Sequence, residues 1–206
     1  MPLIRRDAAP PAAAPSQDDH RRLLTQGSQD QRWAAARTLS GAGDAHLLAA
    51  ALATEADARV REALLSGLAR AGTAESLDAI LPMLRSDDAS ARTSALDALR
   101  AMPAAVTARL PSLLEDEDAD VRLLACELAR EIAAEQAVPL LAAVLARDPH
   151  PNVCAAAVEV LAEVAPPDIA PALEACAARF PDEPFLTFAT RAAADRIRSQ
   201  APARRG

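Results

Sequence analysis

A segment that recurs about every thirty residues constrains the fold of this 206-residue chain more than any other feature. Its copies align on one anchor residue, and successive anchors are 29, 31, 30, 32 and 32 residues apart. A fixed period of this length indicates a stack of similar units, each of which contacts only its neighbours. Function in such a stack is expected on an extended surface, not necessarily in one pocket. The six anchors are Gln31, Val60, Ala91, Val121, Val153 and Phe185.

Composition predicts that the units are helical. The chain is 51% hydrophobic but only 2% aromatic, and Ala and Leu, both strong helix formers, supply most of the apolar content. No stretch alternates between apolar and polar residues with a period of two, so no β-sheet is expected. Each period divides into a first and a second helix. The predicted first helices are 18–26, 44–54, 74–85, 104–115, 135–147 and 168–179, and the predicted second helices are 29–41, 58–71, 89–102, 119–133, 151–164 and 183–199.

A helix-capping residue precedes most anchors by three positions. Ser and Asp side chains accept a hydrogen bond from a free amide of the first turn, so each is expected to start a second helix. His150 is a poor cap, but Pro151 follows it at the first helical position, where proline is tolerated. The anchor and the residues four and eight positions later form an apolar stripe that faces the core. The predicted caps are Ser28, Asp57, Asp88, Asp118 and Asp182.

Pairs of short helices with D-x-x-V-R at the start of the second helix resemble HEAT repeats. The clearest matches are residues 57–61 and 118–122, and the short period is similar to the HEAT-like repeats of phycobilisome lyases. The resemblance implies an all-α fold, a right-handed α-solenoid (superhelix) of about six two-helix repeats. We expect a single repeat domain over residues 17–199, with disordered tails at 1–16 and 200–206.

The resemblance also implies an arginine ladder. In the family, the Arg directly after the anchor packs against the neighbouring unit and its turn acids. Cys154 and Leu186 stand at this position in the last two units, so we expect those interfaces to be built differently. Loss of a ladder arginine is expected to destabilise the stack. The predicted ladder residues are Arg32, Arg61, Arg92 and Arg122.

In HEAT arrays the second helices usually line the concave face, and the residues opposite the buried stripe form rows across successive units. One such row is acidic over three consecutive units. It is either a groove for a cationic segment or a solvated face whose charges form ordinary intrahelical pairs, Asp97 with Arg100 and Glu127 with Arg130. Trp33, the only tryptophan, is either a binding anchor or a cap over the end of the stack. The predicted partner-binding residues are Trp33, Arg37, Glu62, Asp97, Leu123, Glu127, Glu131, Glu159 and Glu163.

The charge distribution favours a protein partner. The net charge is −7, and residues 102–165 account for it, with four Arg against eleven acids. An acidic middle disfavours nucleic acid and anionic membranes. It is compatible with a basic segment of a protein partner. No run of about 18 apolar residues occurs, so no membrane-spanning helix is expected.

No motif for catalysis or for metal binding is present. The sequence has no HExxH, no nucleophile motif and no glycine-rich phosphate loop, and the acidic turn at residues 115–118 lacks the ligand spacing of an EF-hand. Three cysteines without CxxC spacing indicate free thiols in a reducing cytosol, and we expect Cys126 and Cys154 to be small core residues. We therefore predict no catalytic residue, no cofactor and no metal, in a cytoplasmic protein.

The sequence thus favours a non-catalytic protein-binding or scaffolding module, with a monomer slightly favoured. A chromophore-handling protein like the bilin lyases that share these repeats is the first alternative, disfavoured by the shortage of aromatic residues. A nucleic-acid-binding HEAT protein is the second, disfavoured by the acidic charge. The concave face, the convex face and the acidic turn edge all stay open as the binding surface.

Overall fold

The computed structural model describes residues 16–200, which form twelve α-helices in six two-helix units and contain no strand. This is the all-α solenoid that the repeat predicts. Short 3-10 turns extend four of the helices, at residues 42–44, 81–85, 129–131 and 167–169. The first helices are α1 (Gln17–Gln26), α3 (Ala45–Leu52), α5 (Ala74–Ile80), α7 (Pro103–Leu113), α9 (Ala134–Arg147) and α11 (Ala170–Arg179). The second helices are α2 (Gln29–Thr38), α4 (Ala58–Ala71), α6 (Ala89–Arg100), α8 (Ala119–Leu128), α10 (Pro151–Val164) and α12 (Pro184–Gln200).

Both predicted tails fall almost wholly outside the described residues. Ser16, placed in the N-terminal tail, caps α1, because its hydroxyl accepts from the Asp19 amide and the Asp19 side chain accepts from the Ser16 amide. None of the helices within residues 16–200 is long and apolar enough to cross a membrane.

Side-chain caps start the second helices of the first four units. The Ser28 hydroxyl accepts from the Gln31 amide, and Asp57 accepts from the Val60 amide at 3.0 Å. Asp88 and Asp118 accept from the amide two residues on, both at 2.9 Å. In the fifth unit His150 makes no side-chain cap, and Pro151 is the first helical residue, as expected. Cap chemistry therefore fixes where these helices begin.

The last unit departs from the predicted register by one residue. Proline has no amide hydrogen and fits best at the first position of a helix, so α12 begins at Pro184 and the residue before it is Glu183, not Asp182. An anchor lies three residues after the cap, which makes Leu186 the anchor. Leu186 is fully buried, whereas Phe185 is 42% exposed. The assignment of Phe185 as a core anchor is wrong for this reason.

One continuous apolar core runs along the stack. In α4 the predicted stripe of Val60, Leu64 and Leu68 is fully buried. The units approach closely at Gly67, where an added Cβ would lie 3.0 Å from the Leu39 carbonyl oxygen. Small residues at such points bring α2 and α4 near each other.

Second helices pack closely on one another at three of the five unit boundaries. At the first unit boundary and at the last two, successive second helices contact each other along more of their length than first helices do. At the other two boundaries the first helices pack about as extensively as the second helices do. The residues that the second helices expose form the surface that we call the second-helix face.

Candidate functional site

The second-helix face is acidic in its middle. Asp97 on α6, Glu127 on α8 and Glu159 on α10 lie at equivalent positions of successive units, and Asp97 and Glu159 are exposed while Glu127 is half-buried. Glu131 falls in the 3-10 turn after α8 and Glu163 near the end of α10; both are exposed. The structure therefore brings the predicted acidic residues together on one face.

Two arginines on this face connect successive units. Arg100 donates to Asp97 on its own helix at 2.9 Å and to Glu127 on the next second helix at 3.1 Å. The Glu131 carboxylate lies 4.0 Å from the same guanidinium. The intrahelical Asp97–Arg100 pair expected from the sequence is thus present, but Arg100 also links two units.

Arg130 does the same one unit further on. Its guanidinium lies 3.3 Å from the Glu163 carboxylate on α10, and not against Glu127 as the intrahelical alternative expects. Glu159 has no ion pair among residues 16–200. Arg196 of α12 lines the same depression as Glu159 and Glu163 but forms no ion pair with them. Five predicted carboxylates thus face three arginines, so the middle of this face keeps an excess of negative charge.

The N-terminal end of the face is aromatic and basic. Trp33 is half-buried against the edge of the core, and two guanidiniums stack on its ring, that of Arg37 at 4.6 Å and that of Arg59 at 4.2 Å from the centroid. Arg59 also pairs with Asp30 at 3.1 Å. Trp33 is therefore neither a freely exposed anchor nor a fully covered cap. Whether residues 1–15 contact it lies outside the described residues.

A depression of about 380 Å³ opens beside Trp33. Arg37, Arg59 and Arg70 line it together with one carboxylate, that of Glu62. Arg70 donates to the Arg37 carbonyl oxygen at 3.0 Å, and neither Arg37 nor Arg70 forms an ion pair among residues 16–200. The charge balance at this end is therefore the reverse of that in the middle.

The sequence reasoning missed Arg59 and Arg70. They stand one residue before and ten residues after the anchor Val60; the prediction used the tenth position for Glu131 and Glu163 but not for Arg70, and it did not use the position before the anchor. On a helix that turns about 100° per residue, the positions one before, six after and ten after an anchor lie within about 40° of one another. A search over all three positions would have found the basic cluster.

Two further aromatic residues occupy the C-terminal end of the face. The register shift in α12 places Phe188 two residues after the anchor Leu186, the position that Trp33 holds in the first unit. Phe188 is 75% exposed. Leu123, at the same position of α8, is half-buried and packs on the core. Exposed aromatic side chains are typical of binding surfaces, and sequence reasoning missed these because it placed Phe185 in the core.

Two of the predicted ladder arginines cross a unit boundary to a carboxylate. Arg32 contacts both oxygens of Glu55, at 2.8 and 3.0 Å, and Arg122 contacts both oxygens of Asp148, at 2.7 and 3.2 Å. The hydrogen bonds from Arg32 hold the pKa of Glu55 below its usual value. Both acids are largely buried and belong to the turn of the following unit. These bidentate pairs join consecutive units.

Arg61 and Arg92 contact only their own turns. Arg61 donates to the Ala56 carbonyl and Arg92 to the Ser86 carbonyl, both at 2.5 Å. In an arginine pair that crosses to the next unit, the carboxylate stands two residues before the cap of that unit's second helix. For Arg61 the residue at this position is Ser86, which carries no charge. For Arg92 the residue at this position is Asp116, but its carboxylate pairs with Arg85.

The interface between the fifth and sixth units uses an arginine from a first helix. The Cys154 thiol, at the ladder position, contacts the Asp148 carbonyl oxygen at 3.7 Å. Arg179 of α11 donates to that same carbonyl at 2.6 Å and to the Leu145 carbonyl at 2.5 Å. This interface therefore differs from those that Arg32 and Arg122 join. The interface before it carries the Arg122–Asp148 ladder pair, so the expectation for the last two interfaces holds only for the last.

The cysteines lie in the core. All three are buried, and burial raises the pKa of the Cys126 thiol to about 12, which keeps it protonated and unreactive at neutral pH. Within residues 16–200 no group of three His, Cys, Asp or Glu side chains is arranged to hold a metal ion.

The acidic turn edge has structural roles. Asp116 pairs with Arg85, and Asp118 caps α8. A depression of about 340 Å³ lies between this turn and α9, but its two main acids, Asp116 and Asp148, are both held by arginines.

Comparison with known proteins agrees with the helical repeat. Residues 106–194 match the family model of HEAT repeats. Comparison with curated proteins finds no match. Among solved structures, the chain is similar to Cex1p at 15% identity and a TM-score of 0.54, over 92% of this chain and 45% of that one, so it spans less than half the length of Cex1p. This likeness shows the fold alone.

Two other solved structures are similar at lower scores. The complex of CpcE and CpcF of phycocyanin lyase from Nostoc sp. PCC7120 is 15% identical, covers 95% of this chain and 100% of its own, and has a TM-score of 0.42. A designed armadillo repeat protein is 17% identical, covers 88% and 100%, and has a TM-score of 0.40. The family match and the two-helix units together confirm the predicted resemblance to HEAT repeats, which the family model matches over residues 106–194.

Proposed function

We propose that this protein is a non-catalytic binding module whose second-helix face holds a basic segment of a protein partner. One observation carries the proposal: five carboxylates on three adjacent helices and the turn after α8 face three arginines, and exposed or half-buried aromatic side chains flank them at both ends. Complementary charge steers association, and aromatic side chains supply contact area. Buried cysteine thiols fit a reducing cytosol, where we place the protein, as a monomer.

The acids have a second role in this proposal. Arg100 and Arg130 already join neighbouring units through them, so the partner's cations would add to an existing network and not replace it. Each exposed pair contributes little, and the row must therefore act as a set. Neutralising the set is a sharper test than changing one residue.

The test compares a triple variant with a matched control. We expect Asp97→Asn/Glu127→Gln/Glu159→Gln to bind a fluorescent arginine-rich peptide about tenfold more weakly at low ionic strength, with a smaller salt dependence. The measurement is fluorescence anisotropy at two ionic strengths. The control, Glu135→Gln/Asp168→Asn/Glu174→Gln, removes the same charge from exposed positions on the first-helix side.

The control variant is expected to bind like the wild type. Equal affinity of the triple variant and the wild type, with unchanged thermal melting, would contradict the proposal. So would an equal loss in the two variants, because it would show that only the net charge matters.

A further inference from the structure

The second-helix face changes sign along its length. Its middle carries an excess of carboxylates around Arg100 and Arg130. Its N-terminal end carries three guanidiniums around Trp33 against Asp30 and Glu62. A ligand that is basic throughout complements the middle but meets like charge at the N-terminal end.

The geometry of the N-terminal end suits a carboxylate. A guanidinium that lies flat on an aromatic ring keeps its N–H groups in its own plane, where they donate to a planar oxyanion. Arg37 and Arg59 both lie over the Trp33 ring, with their guanidinium carbons 4.6 and 4.2 Å from its centroid. Stacking also reduces the side-chain entropy that is lost when an anion binds.

Arg37 and Arg70 supply the available donors. Arg59 is already engaged by Asp30 at 3.1 Å, whereas Arg37 and Arg70 have no carboxylate partner among residues 16–200. Both line the depression of about 380 Å³ beside Trp33, which has room for an acidic side chain.

We propose that the second-helix face binds an extended protein segment of mixed charge, whose acidic end is held by Arg37 and Arg70 beside Trp33 and whose basic part lies over the acids of α6, α8 and α10. This rests on the proposed function and adds to it the order of charges in the ligand. Helix packing determines the distance between the basic end and the acidic middle of the face. Neighbouring helices pack about 10 Å apart, so the α2–α4 and α6–α8 boundaries are about 20 Å apart, the length of about six extended residues.

The test uses the single tryptophan as a local reporter. A peptide with two glutamates, a neutral spacer of about six residues and four arginines is synthesised in both chain directions. Matched peptides carry glutamine in place of glutamate, or the same residues in scrambled order. Binding is followed by Trp33 emission and, independently, by the anisotropy of a label on the peptide.

One direction of the glutamate peptide is expected to bind about tenfold more tightly than its glutamine and scrambled counterparts and to change Trp33 emission. Arg37→Gln/Arg70→Gln is expected to remove this advantage while leaving binding of the glutamine peptide unchanged or slightly stronger. The control Arg109→Gln/Arg147→Gln, on the first-helix side, is expected to keep the advantage.

If the glutamate and glutamine peptides bind with equal affinity, and Asp97→Asn/Glu127→Gln/Glu159→Gln weakens the binding of both, the inference is overturned while the proposed function still holds. Failure of every peptide to bind would overturn the proposed function as well. If inorganic phosphate or an oligonucleotide changes Trp33 emission and the glutamate peptide does not, the site is a phosphate site and the assignment to an acidic segment is wrong.

Discussion

At the scale of single residues, arginines at one position of the repeat have different roles. Arg32 and Arg122 reach a buried carboxylate of the next unit, whereas Arg61 and Arg92 satisfy only carbonyls of their own turn. The residue two positions before the next cap accounts for the difference at Arg61, because serine there offers no charge. The ladder is therefore discontinuous, and its arginines are not equivalent in stability.

Arg122→Ala is expected to lower the free energy of unfolding by about 3 kcal/mol, because it leaves the buried Asp148 carboxylate without its partner. Arg92→Ala is expected to cost about 1 kcal/mol, since it removes a hydrogen bond to a carbonyl but strands no charge. Arg85→Ala, which breaks a half-exposed pair with Asp116, should cost less than 1 kcal/mol. Urea unfolding of the three variants measures the order, and equal losses would contradict the discontinuous ladder.

At the scale of helices, the positions that the sequence predicts are those that local chemistry determines. Caps and 3.6-residue stripes place ten of the twelve helices to within three residues at each end, and the other two, α5 and α8, end five residues early because 3-10 turns follow them. The predicted second helices of the first and fourth units extend beyond their observed ends. A C-cap follows Thr38 at the end of α2, and a 3-10 turn follows Leu128 at the end of α8. The exception in register is α12, where repeat spacing points to Phe185 but Pro184 moves the helix start by one residue.

The candidate site, like the helices, was predictable only where local chemistry determines it. Helix periodicity alone brings Asp97, Glu127 and Glu159 to one face, because their spacing from each anchor is the same. The contacts between units were not predictable, since they depend on how far each unit is rotated against its neighbour. This is why Arg130 lies against Glu163 and not beside Glu127, where the solvated-face alternative placed it, and why the stacking of Arg59 on Trp33 was missed.

The register of α12 gives a prediction for its two apolar faces. Leu186→Ala is expected to cost about 3 kcal/mol, because Leu186 is fully buried and its loss leaves a cavity. Phe188→Ser should change stability by no more than about 0.5 kcal/mol, since its side chain is 75% exposed. Chemical denaturation of both variants checks the assignment. A larger loss for Phe188→Ser than for Leu186→Ala would show that the register shift is wrong.

At the scale of the whole molecule, the stack presents one long face with three parts. Trp33 and its arginines occupy one end, the acids of α6, α8 and α10 the middle, and Phe185 and Phe188 the other end. Three of the four aromatic residues of the chain lie on this face. End units of repeat arrays usually have polar outer surfaces, so exposed phenylalanines at the end of the face favour an interaction there.

The central claim is that the second-helix face, and not the first-helix side or the turn edge, is the binding surface. Amide chemical-shift mapping of the ¹⁵N-labelled protein with the arginine-rich peptide tests it most directly. The account predicts that the perturbed amides lie on the exposed side of α6, α8 and α10, accompanied by a shift of the Arg100 side-chain Nε–H signal. Perturbations confined to α5, α7 and α9, or to the acidic turn at residues 115–118, would contradict it.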